Sequence, residues 1–173
     1  MLTCTSPGAP ALTIAQLKAH MRVENNDEND EIEAFGRTAQ RWVESAVRQT
    51  VNPSSWQIET RNFIIPLEMS AVTTVDAVVT VADDGTETAL TDYRVDKTQG
   101  ITHVIIGENV TASVFRVRWT AQAESVYTDE LKIMIKLLAS TWYSHRESVS
   151  TDNVKEVPHA LEMMARSITL ARL

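Results

Sequence analysis

LKIMIKLLASTWYSHRE, residues Leu131 to Glu147, is the stretch whose reading decides the fold. Its apolar residues Leu131, Met134, Ile135, Leu138 and Trp142 recur at helical spacing, and Ile133 and Leu137 widen the stripe to more than half the circumference. A helix this apolar needs several packing partners, so the spacing predicts the central helix of a helical core. Lys132, Lys136, Ser140, Tyr143 and Glu147 form a narrow polar strip that water or another subunit can reach. His145 falls towards the apolar side, as a packing histidine does. Thr128 and Asp129 stand where they can cap the helix start.

Working outward, a polar loop from Ser148 to Lys155 follows this helix, and Pro158 suits the first position of a last helix carrying Leu161, Met164, Ala165 and Ile168. Upstream, Met1 to Leu12 reads as a flexible arm, because Pro7, Gly8 and Pro10 oppose regular structure. Thr13 followed by Gln16 forms a capping box for a short helix with Ile14, Leu17 and Met21 on its apolar face. Glu24 to Glu33 holds six acids and no base. A calcium loop would need glycine where Ile32 stands and an acid where Thr38 stands, so these residues read instead as the cap and first turn of a second helix, Asp27 to Gln49. In that helix Ile32, Phe35, Ala39, Trp42, Val43 and Ala46 line one side, and Glu33, Arg37, Arg41, Glu44 and Arg48 form a charged stripe. Gly36 interrupts it, which points to a close neighbour there.

After Thr50 the period drops from helical to alternating. Trp56, Ile58, Phe63 and Ile65 suggest one strand with an irregularity. Ala77, Val79 and Val81 suggest another, entering the turn Asp83-Asp84-Gly85. Tyr93 to Val95, Ile101 to Ile105 and Val114 to Thr120 complete an antiparallel β-unit, with Arg116 and Arg118 on its solvated face. The fold class is therefore α+β: a mainly helical domain of about four helices, 13–50 plus 128–166, with an antiparallel β-unit, 51–127, inserted between the second and third helices, an arm at 1–12 and a tail at 167–173.

The chain has 173 residues, enough to bury a sizeable core, and a formal charge of −7, which disfavours condensation on a phosphate backbone. Its single cysteine, Cys4, rules out an internal disulfide and any cysteine-based zinc site. The opening residues lack the basic and apolar regions of a secretory or lipoprotein signal, and no run is apolar and long enough to span a bilayer, so a soluble cytoplasmic product is expected. Asp83 and Asp84 are accounted for by turn chemistry. There is no glycine-rich phosphate loop, no GxSxG elbow and no HExxH, and His20, His103, His145 and His159 have no metal-ligand spacing. No catalytic residue, cofactor or metal is expected.

The order of segments resembles that of the head-tail connector (adaptor) proteins of tailed bacteriophages and prophages. The resemblance rests on Leu17, Lys18, Arg22, Val23, Asp30, Ile32, Val43 and Glu44; on Asp84, Gly85 and Asp92 to Asp96; on Trp142, Tyr143, Arg146 and Glu147; and on Pro158 to Arg166. It covers nearly the whole chain. Met21 stands where leucine is usual, the glycine usual after the second helix is absent at Val47 to Thr50, and Ser167 to Leu173 extend past the usual end. What it implies is a structural virion protein of the neck, without enzymatic activity, assembled in the host cytoplasm. Such proteins form a homo-oligomeric ring, usually of twelve copies, under the portal protein; they carry the stopper or tail-completion protein and let double-stranded DNA pass without sequence recognition. On this reading Arg37, Arg41, Glu44, Arg48, Lys136, Tyr143, Arg146 and Glu147 meet neighbouring subunits, and Ser167, Ile168, Leu170, Arg172 and Leu173 dock on the portal. A head-closure or tail-completion protein of the same neck is the alternative, and a small cytosolic enzyme or binding module is the alternative of a different class.

Overall fold

The computed structural model describes residues 1–69, 72–98, 101–145 and 159–170. Four helices and eight strands lie in these residues: α1 (Ile14–Met21), α2 (Asn29–Val47), α3 (Thr128–His145) and α4 (His159–Leu170), with β1 (Leu2–Ser6) ahead of α1 and the other seven strands between α2 and α3. The Ser148–Lys155 loop, Pro158, Arg146 and Glu147 lie outside the described residues.

The helices follow their apolar spacing. Thr13 accepts a hydrogen bond from Gln16 N, and the Gln16 side chain accepts one from Thr13 N, closing the expected capping box. Leu131, Met134, Ile135 and Leu138 of α3, Ile32, Ala39 and Val43 of α2, Leu17 of α1, and Leu161, Ala165 and Ile168 of α4 are buried in one cluster. Gly36 marks the α1–α2 crossing: a Cβ there would lie 2.5 Å from a Leu17 methyl carbon. The α2 C-cap is Arg48, left-handed at φ 52°, where glycine would sit without strain.

Four helix expectations change. Ile133 and Leu137 do not widen the buried stripe but face outward, 49% and 39% exposed, because α1, α2 and α4 cover only one side of α3. The helix is not capped by Thr128, which lies inside the first turn and donates to Glu124 O. His145 is exposed, with Nδ1 2.7 Å from Thr141 O. At the start of α2 the cap residue is Glu28 and makes no side-chain cap bond; its carboxylate accepts from the Tyr143 hydroxyl instead, and Asn29 Oδ1 accepts from Lys18 Nζ at 3.1 Å.

The strands are β2 (Ser54–Thr60), β3 (Ile64–Leu67), β4 (Val72–Val81), β5 (Glu87–Ala89), β6 (Tyr93–Thr98), β7 (Ile101–Ile106) and β8 (Phe115–Gln122). They form two antiparallel sheets, β1-β2-β8-β4-β5 and β3-β7-β6. Alternating inward residues of both meet in a second cluster of Ile65, Leu67, Val78, Val104, Ile106, Phe115, Val117 and Trp119. The stretch expected as one irregular strand is two: β2 pairs with β8, the chain crosses at Arg61-Asn62, and β3 pairs with β7 in the other sheet. The β4–β5 hairpin turns where expected, with Gly85 at φ 85°.

The β-unit is not wholly an insertion between α2 and α3. Leu2 to Ser6, expected in a flexible arm, pairs antiparallel with β2 as an edge strand, and Leu2 packs at the margin of the sandwich core. The prolines and glycine after it stay irregular, yet Gln40 Oε1 accepts from Ala11 N at 2.9 Å and Asn52 donates to Ala9 O at 2.9 Å, strapping the arm down.

Candidate subunit-interaction site

The C-terminal half of α2, the Pro7–Pro10 strap and the inner face of β1 and β2 enclose an open groove of about 640 Å³. Its floor is the exposed end of the sheet, Leu2, Cys4 and Trp56; its wall on α2 carries Arg37, Arg41 and Glu44.

Glu44 is the anchored residue of this wall. One carboxylate oxygen accepts from Val51 N at 2.9 Å and from Gln40 Nε2 at 3.0 Å, tying α2 to the chain entering the sandwich. Burial raises its pKa against these two lowering hydrogen bonds. The Cys4 thiol is also raised, first by burial and then by the Glu44 charge. Arg37 pairs with Glu33 one turn earlier at 2.6 Å, both about half exposed. Arg41 is exposed and makes no ion pair among the described residues. Arg48 reaches Glu68 at 3.7 Å beyond the end of the helix.

The sequence-predicted residues thus divide. Arg37, Arg41 and Glu44 share the groove wall. Lys136 and Tyr143 are partly buried on α3. Tyr143 is used within its own chain: its hydroxyl donates to Glu28 at the start of α2, and its ring meets Phe35 edge-on at 6.5 Å. Ile168 is buried in the helical core, and Ser167 donates to Met164 O at 2.8 Å, so α4 continues through the start of the expected tail. Arg172 and Leu173 lie outside the described residues, as does the Leu170 side chain.

Sequence reasoning missed Leu2, Cys4 and Trp56 as groove residues and Ile133 and Leu137 as an outward apolar pair. The alternation of Leu2 with Cys4, matching Trp56 with Ile58, was the available signal for the first set. On the far face of the five-stranded sheet, Arg116 pairs with Glu59 at 2.6 Å and with Glu87, and Arg118 pairs with Glu87 at 2.5 Å. Hydrogen bonds from Arg118 and Arg116 hold the Glu87 carboxylate below its ordinary value. Among the described residues no group of three or more His, Cys, Asp or Glu is placed to hold a metal, and no helix is long and apolar enough to cross a membrane.

No protein-family model matches the chain, and no curated protein matches its sequence. Solved structures do match its fold. A chain in the neck of an empty gene transfer agent (GTA) particle, computed with C6 symmetry, superposes with a TM-score of 0.77 and 17% identity over 97% of this chain and 94% of that one. A chain in the neck of a native GTA particle, computed with C12 symmetry, gives 0.74 and 16% identity over 97% and 94%. A chain of the native GTA virion gives 0.74 and 18% identity over 96% and 94%. At such identities the likeness establishes a shared α+β fold from end to end.

Proposed function

We propose that the chain is a structural neck protein of a tailed-phage or phage-like particle, one copy in a ring under the portal that joins the DNA-filled head to the stopper or tail. The observation that carries this reading is the end-to-end fold likeness to chains in GTA necks of C6 and C12 symmetry, 97% of this chain in both cases. The connector-like order of motifs in the sequence supports it independently.

A ring closed by head-to-tail contacts needs two different patches on each copy. The Arg37–Arg41–Glu44 wall supplies one. The portal contact falls to the residues after Ile168, because Ile168 itself is occupied in the core. For DNA passage an acidic subunit suits the bore, since a basic lumen would bind phosphates by counterion release. The charge of −7 fits that role, and Arg116 and Arg118 are offset by Glu59 and Glu87.

The test is to mix the purified protein with DNA-filled heads that carry a portal but no neck and to image them by electron microscopy. The expected result is an added ring of stoichiometric density below the portal. Heads that gain no density at saturating protein would overturn the proposal.

A further inference from the structure

The groove beside β1 and the tip of the β4–β5 hairpin lie at opposite edges of the same five-stranded sheet. Each is incomplete. β1 has a ladder partner on one side only, so its other side presents unpaired backbone groups next to an open groove. β5 is the other edge, short and exposed throughout, and its turn carries Asp83 and Asp84 in solvent. Asp84 is fixed in shape by accepting from Thr86 N at 2.9 Å, so the tip is a preformed acidic knob.

From these placements we infer that the hairpin tip of a second copy occupies this groove: β5 lies along the free edge of β1, and Asp83 and Asp84 face Arg41 and Arg37. The inference rests on the ring reading and names the two patches that such a ring joins. Three properties of the surfaces select this occupant. The charges are complementary, with Arg41 lacking an ion pair among the described residues. An edge strand meeting an edge strand satisfies backbone groups that neither copy can satisfy alone. Because the two edges belong to one sheet, the contact is heterologous, and its repetition generates a closed ring or a filament rather than a two-fold dimer. Thr88 pairs with Thr80, which shares the inner face with Phe115 and the groove floor, so a continued sheet brings Thr88 of one copy beside Leu2 and Cys4 of the next.

Cys4, the single cysteine, is a built-in reporter for this contact. A variant carrying Cys4→Ser and Thr88→Cys is mixed with the native protein and oxidised with glutathione disulfide. Mildly alkaline conditions are used because burial raises the Cys4 thiol. A Cys4→Ser, Ser144→Cys variant, with its thiol on exposed α3, is the accessibility control. The expected result is a mixed disulfide dimer formed on the order of tenfold faster with Thr88→Cys than with the control. Adding Arg41→Glu to the Cys4-bearing copy lowers that yield, and adding Asp83→Lys and Asp84→Lys to the other copy restores it. Thermal melts of every variant confirm that each is folded. Portal-templated rings that form while the Thr88→Cys rate only equals the control would overturn the hairpin contact and leave the ring standing. Absence of both rings and cross-links overturns the two readings together.

Discussion

The core among the helices is closed by the two ends of the chain, Leu12 to Val51 and Ala123 to Ile168, whereas the core between the sheets draws on the continuous stretch from Ile65 to Ala121. Most pairings of the sandwich, such as Ile64 with Ile105 and Thr80 with Phe115, lie inside its own stretch of chain; the helical core needs α3 delivered against α2 across the whole sandwich. Their seam is fixed by buried hydrogen bonds: Ala123 N donates to Thr50 O at 2.7 Å, and Thr50 Oγ1 donates to Ala121 O at 2.9 Å. The sandwich therefore acts as the staple that holds the helical ends together, and loss of either core loosens the other.

The largest expected effect tests that coupling from the sheet side. Trp119 is fully buried at the centre of the sandwich. Trp119→Ala should cost about 3–5 kcal/mol, as large aromatic truncations do. In urea titrations the helical and sheet signals of circular dichroism should fall in one transition at a lower midpoint. Helical signal surviving after the sheets have melted would break the comparison, because the helical core would then stand without its staple.

The helical side gives the next effect. Ile168 is 6% exposed and belongs to the core. Truncation after Arg166 should therefore lower stability by about 2–5 kcal/mol, the range for removing a buried isoleucine, and not merely detach a docking tail. Ile168→Ala in the full chain should lower the midpoint by a similar amount. An unchanged midpoint in both variants would show that Ile168 contributes nothing to the helical core.

How much of this was legible in the sequence differs between the same two regions. Helical period shows which residues turn inward, so Leu131, Met134, Ile135 and Leu138, and the close approach at Gly36, could be read directly. It could not show which flank of an over-wide stripe stays bare, since that depends on how many partners arrive; Ile133 and Leu137 were misplaced for this reason. In the sandwich, alternation shows the face of a strand but not its sheet, so β2 and β3 looked like one strand although their inward residues meet from opposite sides. β1 was hidden because the nearby prolines and glycine dominate a local reading, while its pairing with β2 is formed across more than fifty residues. At the candidate site, charge spacing on α2 placed Arg37, Arg41 and Glu44 together. The groove itself depends on that same long-range pairing.

The seam supplies the smallest effect and the one whose sign is most exposed to test. Glu44 joins α2 to Val51, and groups facing it include Gln40, Cys4 and the Arg37 and Arg41 side of the groove. Burial raises its folded pKa above the unfolded carboxylate value near 4.3. The folded state therefore holds the proton more tightly, and the Glu44 contribution to stability is fully present below the unfolded value and lost as pH rises through the folded one. Glu44→Gln keeps an oxygen to accept from Val51 N but cannot ionise. The native urea midpoint should decline relative to that of the variant from about pH 4 upward, and at neutral pH the variant should be at least as stable. Parallel midpoint curves would show that Glu44 is ordinarily solvated. A variant less stable only at pH values where Glu44 is ionised would make the charged carboxylate, rather than its geometry, what holds the two cores in register.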